Sequence, residues 1–190
     1  MTIRRNEIPA GKKELNVDET LILKLKYDDA EAFRELYEQA SPAVFGYAFS
    51  LLMNYEDARD VMQDAFLKIR SAAHLYEPQG KPMAWIMTIT RNLCNMKFRQ
   101  NTRMAETEDT DLDYLGCPAE VEDIELRLTL ETAMKVLSGS EREVIILHTM
   151  TGMKHREIAQ LLKMPLATVL AKYHRGLKKM RVSLEGIRNE

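Results

Sequence analysis

The chain has 190 residues, 45% of them hydrophobic and 29% charged, with a formal net charge of −2. That length suits one large or two small domains with real cores. Its two cysteines, Cys94 and Cys117, form no CxxC pair and have no histidine pair at zinc spacing, so a structural zinc site is not expected. There is no run of eighteen apolar residues and no apolar signal-peptide core near Met1, so the expectation is a cytoplasmic protein without membrane insertion.

Ala, Leu, Met, Glu, Lys and Arg dominate, and strand-like alternation is missing, which predicts an all-α fold. The small net charge conceals strong blocks. Residues 81–103 hold five Lys and Arg and no acid, and residues 104–131 hold ten acids against Arg127. Residues 154–190 return to basic, with nine cations against three acids. Blocks of opposite sign in one chain usually meet different partners.

Residues 1–17 are polar, contain Pro9 and Gly11, and read as a mobile N-terminal tail. A helix is expected from Asp18 to Lys26, and another from Ala30 to Gln39 with Phe33, Leu36 and Tyr37 inward. Ser41-Pro42 has the form of an N-cap followed by proline at the first helical position, opening a further helix with Val44, Phe45, Ala48, Phe49 and Leu52.

After a break at Asn54-Tyr55, residues 56–74 form an amphipathic helix with Ala58, Val61, Met62, Ala65, Phe66 and Ile69 on one stripe. Asp57, Asp60 and Asp64 share the far side. Such spacing suits a magnesium site, a solvated face or a docking surface for a basic partner. A metal site of this kind needs a second acidic helix facing the first, and the sequence offers none.

Pro78, Gly80 and Pro82 mark a loop before a helix over residues 83–101. Ile86, Ile89, Leu93 and Met96 are expected inward. Thr88, Asn92, Asn95 and Arg99 then make a polar stripe with Arg91 beside it. Amides and cations with no acid among them suit base edges and phosphates. Trp85, the single tryptophan, packs in the core or stacks on a base.

Residues 104–120 are acidic, contain Gly116-Cys117-Pro118 and read as a linker between domains. A helix from Val121 to Leu137 follows. Ser140-x-x-Glu143 resembles a capping box that starts a helix through His148 and ends at Thr151-Gly152. Next come two short amphipathic segments around a break at Lys163-Met164-Pro165. The first carries Ile158, Ala159, Leu161 and Leu162.

In the second segment Leu166, Val169, Leu170, Tyr173, Leu177, Met180 and Leu184 are expected inward, and Thr168, Lys172, Arg175 and Lys179 outward. This is the pattern of a helix-turn-helix with its recognition helix second, or of an ordinary amphipathic helix with a solvated basic face. His148, His155 and His174 are expected to share no ligand face. No catalytic constellation, cofactor site or metal site is expected, so the chain does not read as an enzyme.

With these pieces in this order, the chain resembles bacterial RNA polymerase sigma factors of the extracytoplasmic-function group. The resemblance spans about residues 20–103 and 121–184. It rests on Asp57-Ala-Arg-Asp-Val-Met-Gln-Asp-Ala-Phe66, Ala84-Trp85-Ile86 and Thr90-Arg91-Asn92. In the second half it rests on Ser140-Glu-Arg-Glu-Val144, Glu157-Ile158-Ala159, Pro165, Thr168-Val169 and His174-Arg175.

The resemblance implies two small helical domains, residues 18–103 and 121–190, joined by a flexible acidic linker, the second containing the helix-turn-helix. It assigns polymerase docking to Asp57, Asp60, Gln63 and Asp64. It assigns the −10 promoter element to Trp85, Thr88, Arg91, Asn92, Asn95 and Arg99, and the −35 element to Arg156, Thr168, Lys172, Arg175 and Lys179. The partners implied are core RNA polymerase, promoter DNA and an anti-sigma protein. Lys154, Lys163, Leu170-Ala171-Lys172 and Met96 depart from the family pattern and leave the promoter sequence open. The rival reading is a regulator that binds DNA through residues 140–184 without polymerase.

Overall fold

The computed structural model describes residues 17–105 and 134–187. The tail over residues 1–16, the acidic linker and most of the helix expected over 121–137 lie outside the described residues. Within them every regular element is a helix.

In the first half, α1 (Glu19–Leu25) and α2 (Ala30–Leu52) begin on aspartates: the Asp18 and Asp29 carboxylates accept the first free backbone N–H groups. Asn54 does the same for α3 (Tyr55–Ala72), accepting from the Asp57 amide at 3.0 Å. A 3₁₀ turn, Ala73–Leu75, leads into the loop before α4 (Pro82–Ala105), which opens on Pro82, read from sequence as the end of that loop. In the second half, α5 spans Gly139–Thr151, α6 His155–Leu162 and α7 Leu166–Ile187.

Several local expectations need correction. Met96, expected inward on α4, is exposed. The break predicted at Ser41-Pro42 is not there, and α2 runs through Pro42 from Ala30 to Leu52. Proline removes one helix hydrogen bond, but Ala40, Ala43, Val44 and Tyr47 on either side of it are fully buried, so packing holds the helix together. The capping box lies two residues earlier than expected. Ser138 accepts from the Glu141 amide, and the Glu141 carboxylate accepts from the Ser138 amide at 3.0 Å. Glu143 is drawn elsewhere. Val17, assigned to the tail, is buried in the core.

One hydrophobic core runs through both halves. Leu21, Ile22, Leu36, Val44, Phe66, Ile69, Ile86 and Met87 from the first are continuous with Val144, Ile146, Leu147, Ile158, Leu162 and Val169 from the second. The seam is α5 lying along α2. A Cβ on Gly46 of α2 would stand 2.7 Å from the Met150 Sδ of α5, so the end of that side chain packs over the glycine.

Candidate nucleic-acid interface

On α4 the four residues of the predicted polar stripe, Thr88, Asn92, Asn95 and Arg99, are all exposed. Thr88 donates its hydroxyl to the Ala84 carbonyl at 2.8 Å, which fixes that side chain against its own helix. Arg91 departs from the group. Its Nε donates to Glu143 Oε1 at 2.9 Å, so the guanidinium faces α5. Trp85 is half-buried and sits edge-on to Tyr76 with ring centroids 5.0 Å apart. With Thr88 it lines a cleft of about 420 Å³, closed on the other side by Glu157, Gln160 and Leu161 of α6.

The acid stripe on α3 is less open than its spacing suggests. Asp57 accepts from Lys97 Nζ at 3.0 Å and from Asn101 Nδ2 at 2.6 Å, and Lys97 also reaches Asp60 at 3.4 Å. The Asp57 hydrogen bond is the main cause that holds the Lys97 ammonium above its ordinary range. Gln63 and Asp64 are exposed, and with Asp60, Met96 and Gln100 they border a groove of about 320 Å³ between α3 and α4.

The helix-turn-helix is formed by α6 and α7. Lys163, in the turn between them, takes the left-handed conformation with φ 53°. At the start of α6, Lys154 has no side-chain acceptor to cap with. Glu157 instead accepts from the Lys154 backbone N–H at 3.0 Å. Arg156 is exposed.

The seating of α7 differs from the sequence reading by a rotation of roughly 70° about its axis. Val169 and Gly176 are the buried positions, and a Cβ on Gly176 would come within 2.6 Å of Ile145 Cδ1 on α5. Two cations of the predicted outward stripe turn toward the start of α5. Lys172 Nζ donates to Ser140 Oγ at 2.5 Å, and Lys179 Nζ to Glu141 Oε2 at 2.7 Å. Arg175 approaches Glu141 at 3.9 Å while staying exposed. The Lys179 bond, then the Ser138 backbone N–H, holds the Glu141 carboxyl down at about 2. Thr168 is half-buried. The line that faces solvent is Ala167, Ala171, His174, Lys178 and Arg181, flanked by Leu166, Leu170 and Leu177, all read from sequence as inward.

Spacing did not point to the polar cluster between the two halves. Glu143, buried on α5, accepts from the Tyr47 hydroxyl of α2 at 2.8 Å and from Arg91 of α4. Burial and then the Glu143 charge push the Tyr47 hydroxyl well above its ordinary range. Beside it Arg142 donates to the Ser50 carbonyl at 3.1 Å. The available signal was an acid inside the run Glu143-Val-Ile-Ile-Leu, where the apolar face of α5 leaves it no water. A second unexpected grouping is the stack of His148 on His155, 4.3 Å between centroids, with Tyr173 edge-on to both. Among the described residues no group of three or more His, Cys, Asp or Glu is placed to hold a metal ion.

A helix-turn-helix and a separate exposed, acid-free polar helix in one all-helical chain define a two-module DNA-binding transcription protein. The family described as Sigma-70 region 2 matches residues 36–104, and Sigma-70 region 4 matches residues 127–180. The chain is 29% identical to the RNA polymerase sigma factor CarQ of Myxococcus xanthus, over 80% of this chain and 88% of CarQ. It is 30% identical to the extracytoplasmic-function sigma factor SigE of Mycolicibacterium smegmatis, over 77% of this chain and 59% of SigE. In fold it resembles the sigma factor RpoE of Bartonella quintana, solved with the anti-sigma factor NepR. The TM-score there is 0.71 at 23% identity, covering 82% of this chain and 98% of RpoE. The chain belongs to the sigma-70 family of transcription-initiation sigma factors, in its extracytoplasmic-function group.

Proposed function

We propose that the chain binds core RNA polymerase in the cytoplasm and directs it to promoters, with all bond-making chemistry left to the polymerase. Residues 18–103 dock on the polymerase and engage the −10 element, and residues 121–190 read the −35 element. The acidic stretch 104–120 enters the nucleic-acid channel of the enzyme. The observation that carries this reading is the exposed Thr88, Asn92, Asn95 and Arg99 face on α4. A regulator that binds duplex DNA through α6 and α7 has no use for it.

On α3, Asp64 and Gln63 are the groups open to a basic partner, with Asp60 shared between that partner and Lys97. Asp57 serves mainly to hold α4 in place through Lys97 and Asn101. On α4 the outward amides meet bases of the opened strand, and Arg99 meets its phosphates. The second module touches duplex DNA through the N-terminal half of α7, with Arg156 of α6 on a phosphate.

The packed arrangement is a resting state in this reading. Two elements some 25 base pairs apart are separated by about 85 Å of duplex. A compact chain of this length has a radius of gyration of only about 16 Å. Both modules therefore reach DNA together after α5 leaves α2. An anti-sigma protein that holds the modules closed would use the same equilibrium; the RpoE neighbour was solved in complex with an anti-sigma factor.

The test is reconstitution. Purified chain is mixed with core polymerase and a promoter library, and both co-purification and transcript start sites are scored. Stable association with core and promoter-dependent transcripts are expected. Tight binding of duplex promoter by the chain alone, with no association with core, would favour the stand-alone regulator.

A further inference from the structure

We propose that α7 reads its duplex element chiefly through thymine methyl groups, with alkyl side chains rather than hydrogen-bonding heads. This rests on the reading of α7 as the −35 helix and specifies the chemistry that it recognises.

A recognition helix reads bases with the side chains of its first turns that face away from its own domain. On α7 the side chains facing away there are Ala167, Leu170 and Ala171, with Leu166 at the flank and His174 one turn on. The groups that ordinarily make paired hydrogen bonds to purines are Arg, Lys, Asn and Gln. In these first turns the one such residue is Lys172, and its ammonium is engaged by Ser140 on α5. Thr168 is half-buried on the same flank.

In the major groove, guanine, adenine and cytosine present donors and acceptors, and thymine alone adds a methyl group. An alkyl surface pressed against the polar edge of a G·C pair strips water from groups that it cannot pair. Pressed against thymine C5 it buries a methyl group instead. An alkyl face thus discriminates in favour of thymine by attraction and against G·C by desolvation.

The surroundings identify the occupant as DNA. Lys178 and Arg181 continue the same outward line toward the C-terminus, Arg175 stands exposed on one flank, and Lys163 sits in the turn. Arg156 is exposed on α6. A strip of alkyl groups bordered by cations matches a groove floor of methyl groups between two phosphate backbones. His174 is the hydrogen-bonding head on the outward line nearest the alkyl strip. It marks the position where the readout passes from methyl contact to a polar base edge or a phosphate.

The experiment uses holoenzyme reconstituted with the full chain. A library randomised upstream first gives the preferred element. Each thymine of that element is then replaced singly, on either strand, by deoxyuridine, which removes the methyl and keeps every hydrogen-bonding group. At two or more adjacent positions the expected loss of promoter occupancy is about fourfold each, the effect of one buried methyl group. Leu170→Ala should shrink the loss at one of those positions, because the side chain that covered the methyl is gone. Occupancy unchanged by deoxyuridine at every thymine would overturn the proposal. So would sensitivity to 7-deazaguanine or 7-deazaadenine at the same steps, or a preferred element without thymine. A library with no upstream preference, or one whose preference ignores every α7 substitution, would instead remove the −35 reading itself.

Discussion

Helices α4 and α7 are both basic and amphipathic, and both are read from sequence as carrying a polar stripe at spacings of four, three and four residues. On α4 the stripe lies at the centre of the exposed side, and Thr88, Asn92, Asn95 and Arg99 all face water. On α7 the stripe lies at the flank, with Lys172 and Lys179 bound to Ser140 and Glu141. The difference comes from what each helix packs against. Apart from Thr88, at the edge of the cleft beside α6, the α4 stripe faces no other described element. The stripe on α7 runs beside the N-terminus of α5, where a buried carboxylate attracts cations. Periodicity locates a face on a helix, but the neighbours decide which part of it is free.

The seating of α7 is tested most strongly at Gly176, which packs against Ile145 of α5. Gly176→Val puts branched carbon where Ile145 Cδ1 already stands 2.6 Å from the Cβ position. Overpacking of this sort costs about 1–3 kcal/mol. Thermal unfolding should show the loss, and transcription from −35-dependent promoters should fall while the α4 face is unaffected. Normal melting would mean that α7 is seated with its leucines inward after all.

Next in size is the cluster that joins α4 to the second module. Glu143→Ala leaves the Tyr47 hydroxyl and Arg91 without their shared acceptor, at a cost of about 1–3 kcal/mol to the packed form. A pair of fluorophores, one on each module, should report a longer mean distance in the variant. An unchanged distance would show that apolar contacts such as Gly46 with Met150 hold the seam without it.

A smaller effect is set by pH. Glu141 has its folded-state pKa lowered to about 2 from an ordinary 4.5, so the unfolded chain takes up its proton first as pH falls. The contribution of Glu141 is therefore present above pH 4.5 and is lost progressively between 4.5 and 2. Glu141→Gln should flatten the acid limb of stability in that window and leave neutral-pH DNA selectivity nearly intact. If selectivity changes sharply, the Lys179 bond also positions the outward line.

The smallest expected difference separates Asp57 from Asp64 on α3. Asp64→Asn should weaken association with core polymerase at low salt, mostly through the association rate, with no change in melting temperature. Asp57→Asn should instead loosen α4 through Lys97 and Asn101. Equal and purely kinetic effects from both would restore the picture of one open acid stripe.

Much of the fold was legible from local chemistry. Asp18 sits at a helix start as its residue type suggests, and Gly152 closes α5. The inward stripe of α3 is buried at Ala58, Val61, Ala65, Phe66 and Ile69, with Met62 beside them. Two rules that compete locally could not be ranked in advance. Ser138-x-x-Glu141 and Ser140-x-x-Glu143 are equally good boxes, and the first forms because Glu143 is needed by Tyr47 and Arg91, 96 and 52 residues away in sequence. The seating of α7 was missed because leucines count heavily in a hydrophobic pattern and glycine counts for nothing. Yet a glycine inside a helix is itself a sign of close approach. The open α4 stripe was legible because its polar residues form one unbroken stripe that, beyond Thr88, no described element covers.

The seam between α2 and α5 has one further consequence, for competition among the proteins that share a pool of polymerase. If the enzyme accepts the open form alone, its apparent affinity is the intrinsic affinity multiplied by the open fraction. Every 1.4 kcal/mol added to the seam then raises the polymerase concentration needed for half-occupancy about tenfold. Packing at Gly46 and Glu143 would then set how abundant the chain must become before it displaces its rivals.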